Sequence, residues 1–260
     1  MKPKKVRAKK ARTKEARKNL PKKDWKKVVF SVLITFIWVG ASIIVAQLVV
    51  GYLMLLLLGP ERFEQPVWKA IYSALVYTLI VFLVIFIPKK SFNRDKFGLW
   101  GLPTWIDIGL APVGFFVYLL IAAGLTSLFS MYPWFNAEEV QDIGFSLYVV
   151  GFDRIVAFLT LVVVAPIAEE IVFRGFLYGK IRGRLNEIVS DKISMMISIF
   201  LVSLLFGIVH LQWNVGVNVF AMSIVLCGLR EITGTIYSGI LLHMLKNGIA
   251  FYLLFVLGIN

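Results

Sequence analysis

The sequence predicts an all-α fold, a polytopic transmembrane helical bundle of about seven spans, within a range of six to eight. Three observations carry that expectation. Hydrophobic residues fill 59% of the 260 positions and charged residues only 17%, against roughly half and about a quarter in soluble domains. Several apolar runs reach the ~20 residues that a helix needs to cross about 30 Å of hydrocarbon. Basic and non-basic loops alternate between those runs, as the positive-inside rule requires.

The first 27 residues, MKPKKVRAKKARTKEARKNLPKKDWKK, hold 14 Lys and Arg against Glu15 and Asp24. The net charge of +13 therefore belongs to one tail, since the remainder has 14 basic and 13 acidic residues. With almost no large apolar side chain, such a segment has nothing to fold around. Beside a membrane span, its charge points to a cytoplasmic N-terminus and contact with anionic lipid rather than nucleic acid. Its basic region and the apolar run behind it are too long for a cleavable signal peptide. Cys227 is the single cysteine, which excludes an internal disulfide.

Spans are expected near 28–58, 67–88, 105–131, 147–178, 193–211, 215–229 and 233–257. The loops between them test the assignment. Residues 59–66 carry Arg62 against Glu61 and Glu64; 89–104 carry Lys89, Lys90, Arg94 and Lys96; 132–146 hold Glu138, Glu139 and Asp142 without a base; Lys180, Arg182 and Arg184 return the chain to the cytoplasm. This order makes a multi-pass cell-membrane protein with its C-terminus outside.

Polarity divides the chain. The first three spans hold scarcely a polar side chain beyond Ser, Thr, Gln47 and the interfacial Asp107. Residues 1–27 thus read as a cytoplasmic tail, 28–146 as scaffold helices and 147–260 as the functional core. Within that core the run AEEIVFRGFLYGK, residues 168–180, follows an apolar stretch with no polar residue between Thr160 and Glu169. Charge at membrane depth is expensive and by default marks a functional site.

On a helix, Glu170 and Arg174 lie four apart and face each other, so Arg174 can neutralise Glu170. Glu169 is rotated by about 100°, which leaves it as the carboxylate free to act as a general base. Two further stretches add imidazoles. In SLLFGIVHLQWN, Phe206 and His210 share a helix face, and in GILLHMLKNGIAF so do His243 and Asn247. His210 and His243 are the only histidines of the chain, and both fall within spans. Counting ~1.5 Å per residue from the nearest cytoplasmic base, Glu169 and His243 stand at about 16 and 20 Å, and His210 at about 27 Å. Convergence then requires a tilted or deeper-starting helix for His210. Together the four groups offer an acid base, an imidazole to share a water with it, and an imidazole and an amide to donate to an oxyanion. The chain contains no HExxH, GxSxG or Walker loop, which removes the common zinc-protease, serine-hydrolase and nucleotide-binding signatures.

In their order EEIVFR, FGIVH and HMLKN, these stretches resemble the EExxxR, FxxxH and HxxxN motifs of the CPBP family. That family comprises membrane-embedded proteases, commonly labelled metalloproteases, related to the type II CAAX prenyl endopeptidases and to bacterial Abi and bacteriocin self-immunity proteins. The resemblance covers residues 150–257. It implies an intramembrane CAAX-type endopeptidase in which Glu169 and His210 activate water, His243 and Asn247 donate to the oxyanion, and Glu170 with Arg174 forms the second acid and its partner. Lys246 departs from the pattern by placing an ammonium inside the third motif, where it needs an acidic partner or an aqueous cavity.

Metal use stays open. Glu169, His210 and His243 could hold zinc with a fourth position for water, or Glu169 could act as a metal-free base, the simpler scheme. The expected partner is a membrane-embedded peptide or protein, or a prenylated peptide, without nucleic acid. Two other classes compete with the endopeptidase. One is a non-catalytic immunity protein that sequesters a peptide on the same scaffold. The other is an electron carrier with His210 and His243 as haem ligands, which leaves Glu169, Glu170 and Arg174 unexplained.

Overall fold

The computed structural model describes residues 24–86, 94–139 and 149–258. Most of the basic tail, with Lys89, Lys90 and Asp142 of the loops, lies outside the described residues. Among the described residues seven helices are long and apolar enough to cross a membrane: α1 (Trp25–Phe63), α2 (Pro66–Phe86), α3 (Trp105–Phe129), α4 (Gly151–Leu185), α5 (Asp191–Ile208), α6 (Trp213–Thr233) and α7 (Tyr237–Leu257). Among the described residues there is no strand. The chain is an all-α, multi-pass membrane protein, as its hydropathy predicts.

Helix α1 starts at Asp24, whose carboxylate accepts the Lys27 backbone N–H at 3.2 Å. One stripe, Val28, Val32, Thr35, Val39, Ser42, Ala46, Val50 and Met54, is buried, and this 3–4 spacing of small side chains lets α2 approach closely. Leu48 and Leu57 on other faces are 67% and 76% exposed, as apolar side chains are where lipid is the solvent. At Gly59 (φ 74°), followed by Pro60, the helix kinks and continues to Phe63. The expected boundary at residue 58 marks that kink rather than an end.

Asp107, in the first turn of α3, is packed inside protein rather than exposed at the helix end. Its side chain is 1% exposed and closes a capping box with Thr104 at the start of α3. It also accepts hydroxyls from Thr235 at 2.8 Å and Ser238 at 2.7 Å. The start of α3 is thereby tied to the start of α7, which fixes the height of the helix that carries His243 and Asn247.

Long α4 touches α1, α2, α5, α6 and α7, and its interior is irregular. Wider π-helical turns at Leu159–Val164 and Ile171–Tyr178 flank an α-helical segment at Ala165–Glu170. Proline explains the first. The Ala165 N–H reaches back to the Thr160 carbonyl, so in this five-residue register the next donor should come from residue 166. Pro166 has no N–H. The Leu161 carbonyl is left for another partner, and insertions of this kind recur at functional sites.

Between α5 and α6 the connection is short, and two glycines set it. A Cβ on Gly207 would lie 2.8 Å from the Gly216 carbonyl oxygen, and one on Gly216 would lie 3.0 Å from that of Gly207. Helix α5 ends at Ile208, so His210 stands in the turn rather than in the helix, followed by Leu211 in a left-handed conformation (φ 57°).

Candidate active site

The acid pair sits at the end of the α-helical segment of α4, where its two carboxylates take different partners. Glu170, fully buried, accepts from Arg174 Nη1 at 2.8 Å and from His243 Nδ1 at 3.1 Å, both on Oε1. Arg174 is also fully buried, and its guanidinium carbon stands 4.4 Å from the Phe206 ring centroid. Gly239 lets α7 come this close, because a Cβ there would lie 3.0 Å from Glu170 Oε2. The pair therefore balances its own charge inside the bundle and holds one nitrogen of His243.

Glu169 points elsewhere. Its side chain retains 15% exposure, its Oε2 stands 3.7 Å from His243 Nε2, and its Oε1 accepts the Tyr77 hydroxyl at 2.6 Å. His243 thus has one nitrogen on each acid of the pair. Tyr77 belongs to α2, among the spans that the sequence assigns to scaffold, and sequence reasoning misses it. A signal was present: interfacial belts keep tyrosine near helix ends, and Tyr77 falls in the middle of Pro66–Phe86.

The Nδ1 of His210 lies 2.8 Å from the Phe206 carbonyl oxygen. A carbonyl only accepts, so Nδ1 carries the hydrogen and a neutral ring keeps its lone pair on Nε2. The Phe206 ring packs edge-on against both imidazoles, with centroids 5.1 Å from His210 and 6.0 Å from His243. Asn247 donates Nδ2 to the Leu161 carbonyl at 2.9 Å, the acceptor that Pro166 leaves free. One of its two amide hydrogens remains.

Two adjoining cavities of about 260 Å³ each meet at this cluster and share Ser73, Tyr77, Glu169 and His210. The first extends between α1, α2 and α4 past Ile43, Gln47, Val76 and Phe173. His243, Asn247 and Lys246 line the second, so Glu169, His210, His243 and Asn247 border one space. Lys246 lines the cavity rather than pairing with an acid. As for a metal, among the described residues no three His, Cys, Asp or Glu side chains group closely enough to hold one. The Glu169, His210 and His243 donors as placed are therefore not grouped as a three-ligand site.

Fold and cluster first define a class: a multi-pass helical membrane protein with an acid, two imidazoles and an amide around a buried cavity. Residues 151–249, from the start of α4 to just beyond Asn247, match the family described as Rce1-like, type II CAAX prenyl endopeptidase. The match supports the CAAX protease family over those residues. No curated protein and no solved structure matches the chain.

Proposed function

We propose that the protein hydrolyses a peptide bond within the membrane with a water activated by Glu169, without a metal. The observation that carries this reading is the division of labour in the acid pair. Glu170 is committed to Arg174 and His243, while Glu169 faces a cavity shared with the free Nε2 of His210. A water between Glu169 and His210 gives its proton to Glu169 as its oxygen attacks the scissile carbonyl. With Nδ1–H held by Glu170, a proton on Nε2 makes His243 a donor to the oxyanion, and the remaining amide hydrogen of Asn247 is a second. Collapse of the tetrahedral intermediate breaks the C–N bond as Glu169 returns the proton to the leaving amine.

The family description directs the substrate choice to a prenylated or otherwise membrane-associated peptide. Lys96, Lys180, Arg182, Arg184 and Arg230 border one surface cavity, which supports a cytoplasmic N-terminus through the positive-inside rule. Helix α1 begins on that side, with Phe30 and Ser31 beside Lys180 and Arg184, and anionic lipid there would suit the charge of the basic sequence that precedes it.

Comparative profiling of membrane peptides from cells carrying wild type or Glu169→Gln tests the reaction. Products present only with wild type, at equal protein level, are expected. Identical profiles would remove Glu169 from the mechanism.

A further inference from the structure

The cavity that borders the cluster contains a cation the proposed reaction does not use. Lys246 stands three residues after His243 and one before Asn247, half-buried, and lines the same space as both. Glu169 is held by Tyr77 and faces His243, and Glu170 is held by Arg174 and His243. Among the described residues no carboxylate comes within ion-pair distance of the Lys246 ammonium. Much of the remaining wall is apolar, with Met222, Phe251 and Leu254. An ammonium in such a place is unfavourable unless an anion comes to meet it.

The neighbouring cavity has no such cation. Ile43, Val76, Ile80 and Phe173 line it, with no lysine or arginine. Glu169 and Tyr77 stand where the two meet. A chain lying across them would find an apolar subsite on one side of the base and a lone positive charge on the other.

We propose that Lys246 is an anion subsite that sets the substrate's direction: the peptide lies across Glu169 with a carboxylate against the Lys246 ammonium and an apolar portion toward Ile43, Val76 and Ile80. The inference rests on the hydrolytic reading above and narrows it to peptides bearing a carboxylate close to the cleaved bond. Charge-assisted pairing of ammonium and carboxylate supplies the discrimination. The carboxylate comes from a free C-terminus or from an acidic side chain, two sources with one chemistry.

A binding measurement that needs no turnover tests this. The full chain carrying Glu169→Gln, in lipid nanodiscs, is titrated with a dansyl-labelled, farnesylated peptide ending in three apolar residues. Three forms are compared: the free acid, the C-terminal amide, and the amide with Asp as its last residue. The free acid is expected to bind at least tenfold more tightly than the plain amide, the preference vanishing in Lys246→Met and surviving in Lys246→Arg. Tight binding by the Asp amide assigns the acidic side chain as a second source. Equal binding of acid and plain amide, or no binding by any form, overturns the proposal, as does a Lys246→Met change that weakens acid and amide alike, the mark of a lysine that only balances Glu169. An acid preference in a protein that cleaves nothing leaves the subsite standing and removes the hydrolase. Cleavage by wild type without an acid preference does the reverse.

Discussion

The Tyr77 hydroxyl donates a 2.6 Å hydrogen bond to Glu169 Oε1 across 92 residues of sequence. It joins the N-terminal helices to the acid of α4 and holds that acid in one orientation, with its other oxygen toward His243. In the proposed reaction, a base held at one angle has no rotamer search to complete before each proton transfer.

Removing that hydroxyl tests its role. Tyr77→Phe keeps the ring and deletes the donor, so stability should change by about 1 kcal/mol. The kcat should fall about tenfold with KM nearly unchanged, as for a group acting through the base. Initial rates beside a thermal melt separate the two effects.

Arg174 and Glu170, a fully buried pair, are expected to carry stability more than turnover. Arg174→Met leaves a buried carboxylate without its cation and should cost about 3–5 kcal/mol. The double variant Glu170→Gln with Arg174→Met removes both charges and should recover part of that loss. Denaturant unfolding in detergent measures both, and equal loss in single and double variants would show that the pair's charge is not what matters.

Pro166 acts at a distance on Asn247. Pro166→Ala supplies the N–H that the Leu161 carbonyl lacks and should release the Asn247 amide from its 2.9 Å bond. The variant should fold at least as well as wild type, because the helix gains a donor, yet show a lower kcat. A double-mutant cycle with Asn247→Ala should give a coupling of at least about 0.5 kcal/mol, and strict additivity would dismiss the link.

Leu211 holds φ 57° directly after His210 and is 92% exposed. A side chain in the left-handed region costs roughly 1–2 kcal/mol. Leu211→Gly relieves that strain at the expense of a more flexible unfolded chain, so a rise in melting temperature of a few degrees is expected for a net gain of about 1 kcal/mol.

Much of the architecture is legible because hydropathy acts residue by residue. The run from Trp105 to Phe129 declares a span through its own composition, and Glu170 meets Arg174 because four positions on a helix suffice. What stays hidden depends on contacts distant in sequence. Nothing near Tyr77 points to residue 169, and nothing near Asn247 points to a carbonyl orphaned by a proline 81 positions earlier. The burial of Asp107 is hidden because its partners Thr235 and Ser238 lie more than a hundred residues on. A regular rise counted from Lys192 puts His210 too far from the cytoplasmic side, since the count ignores how the helices cross and the turn that follows Ile208.

The arms of the α5–α6 hairpin touch backbone to backbone at Gly207 and Gly216, so this hairpin works as a ruler. Hydrogens alone fill the crossing, and the loop beyond it can hold out its ring at only one reach. A single methyl on either arm would give that reach some slack, and the enzyme would keep every chemical group it owns while losing their register.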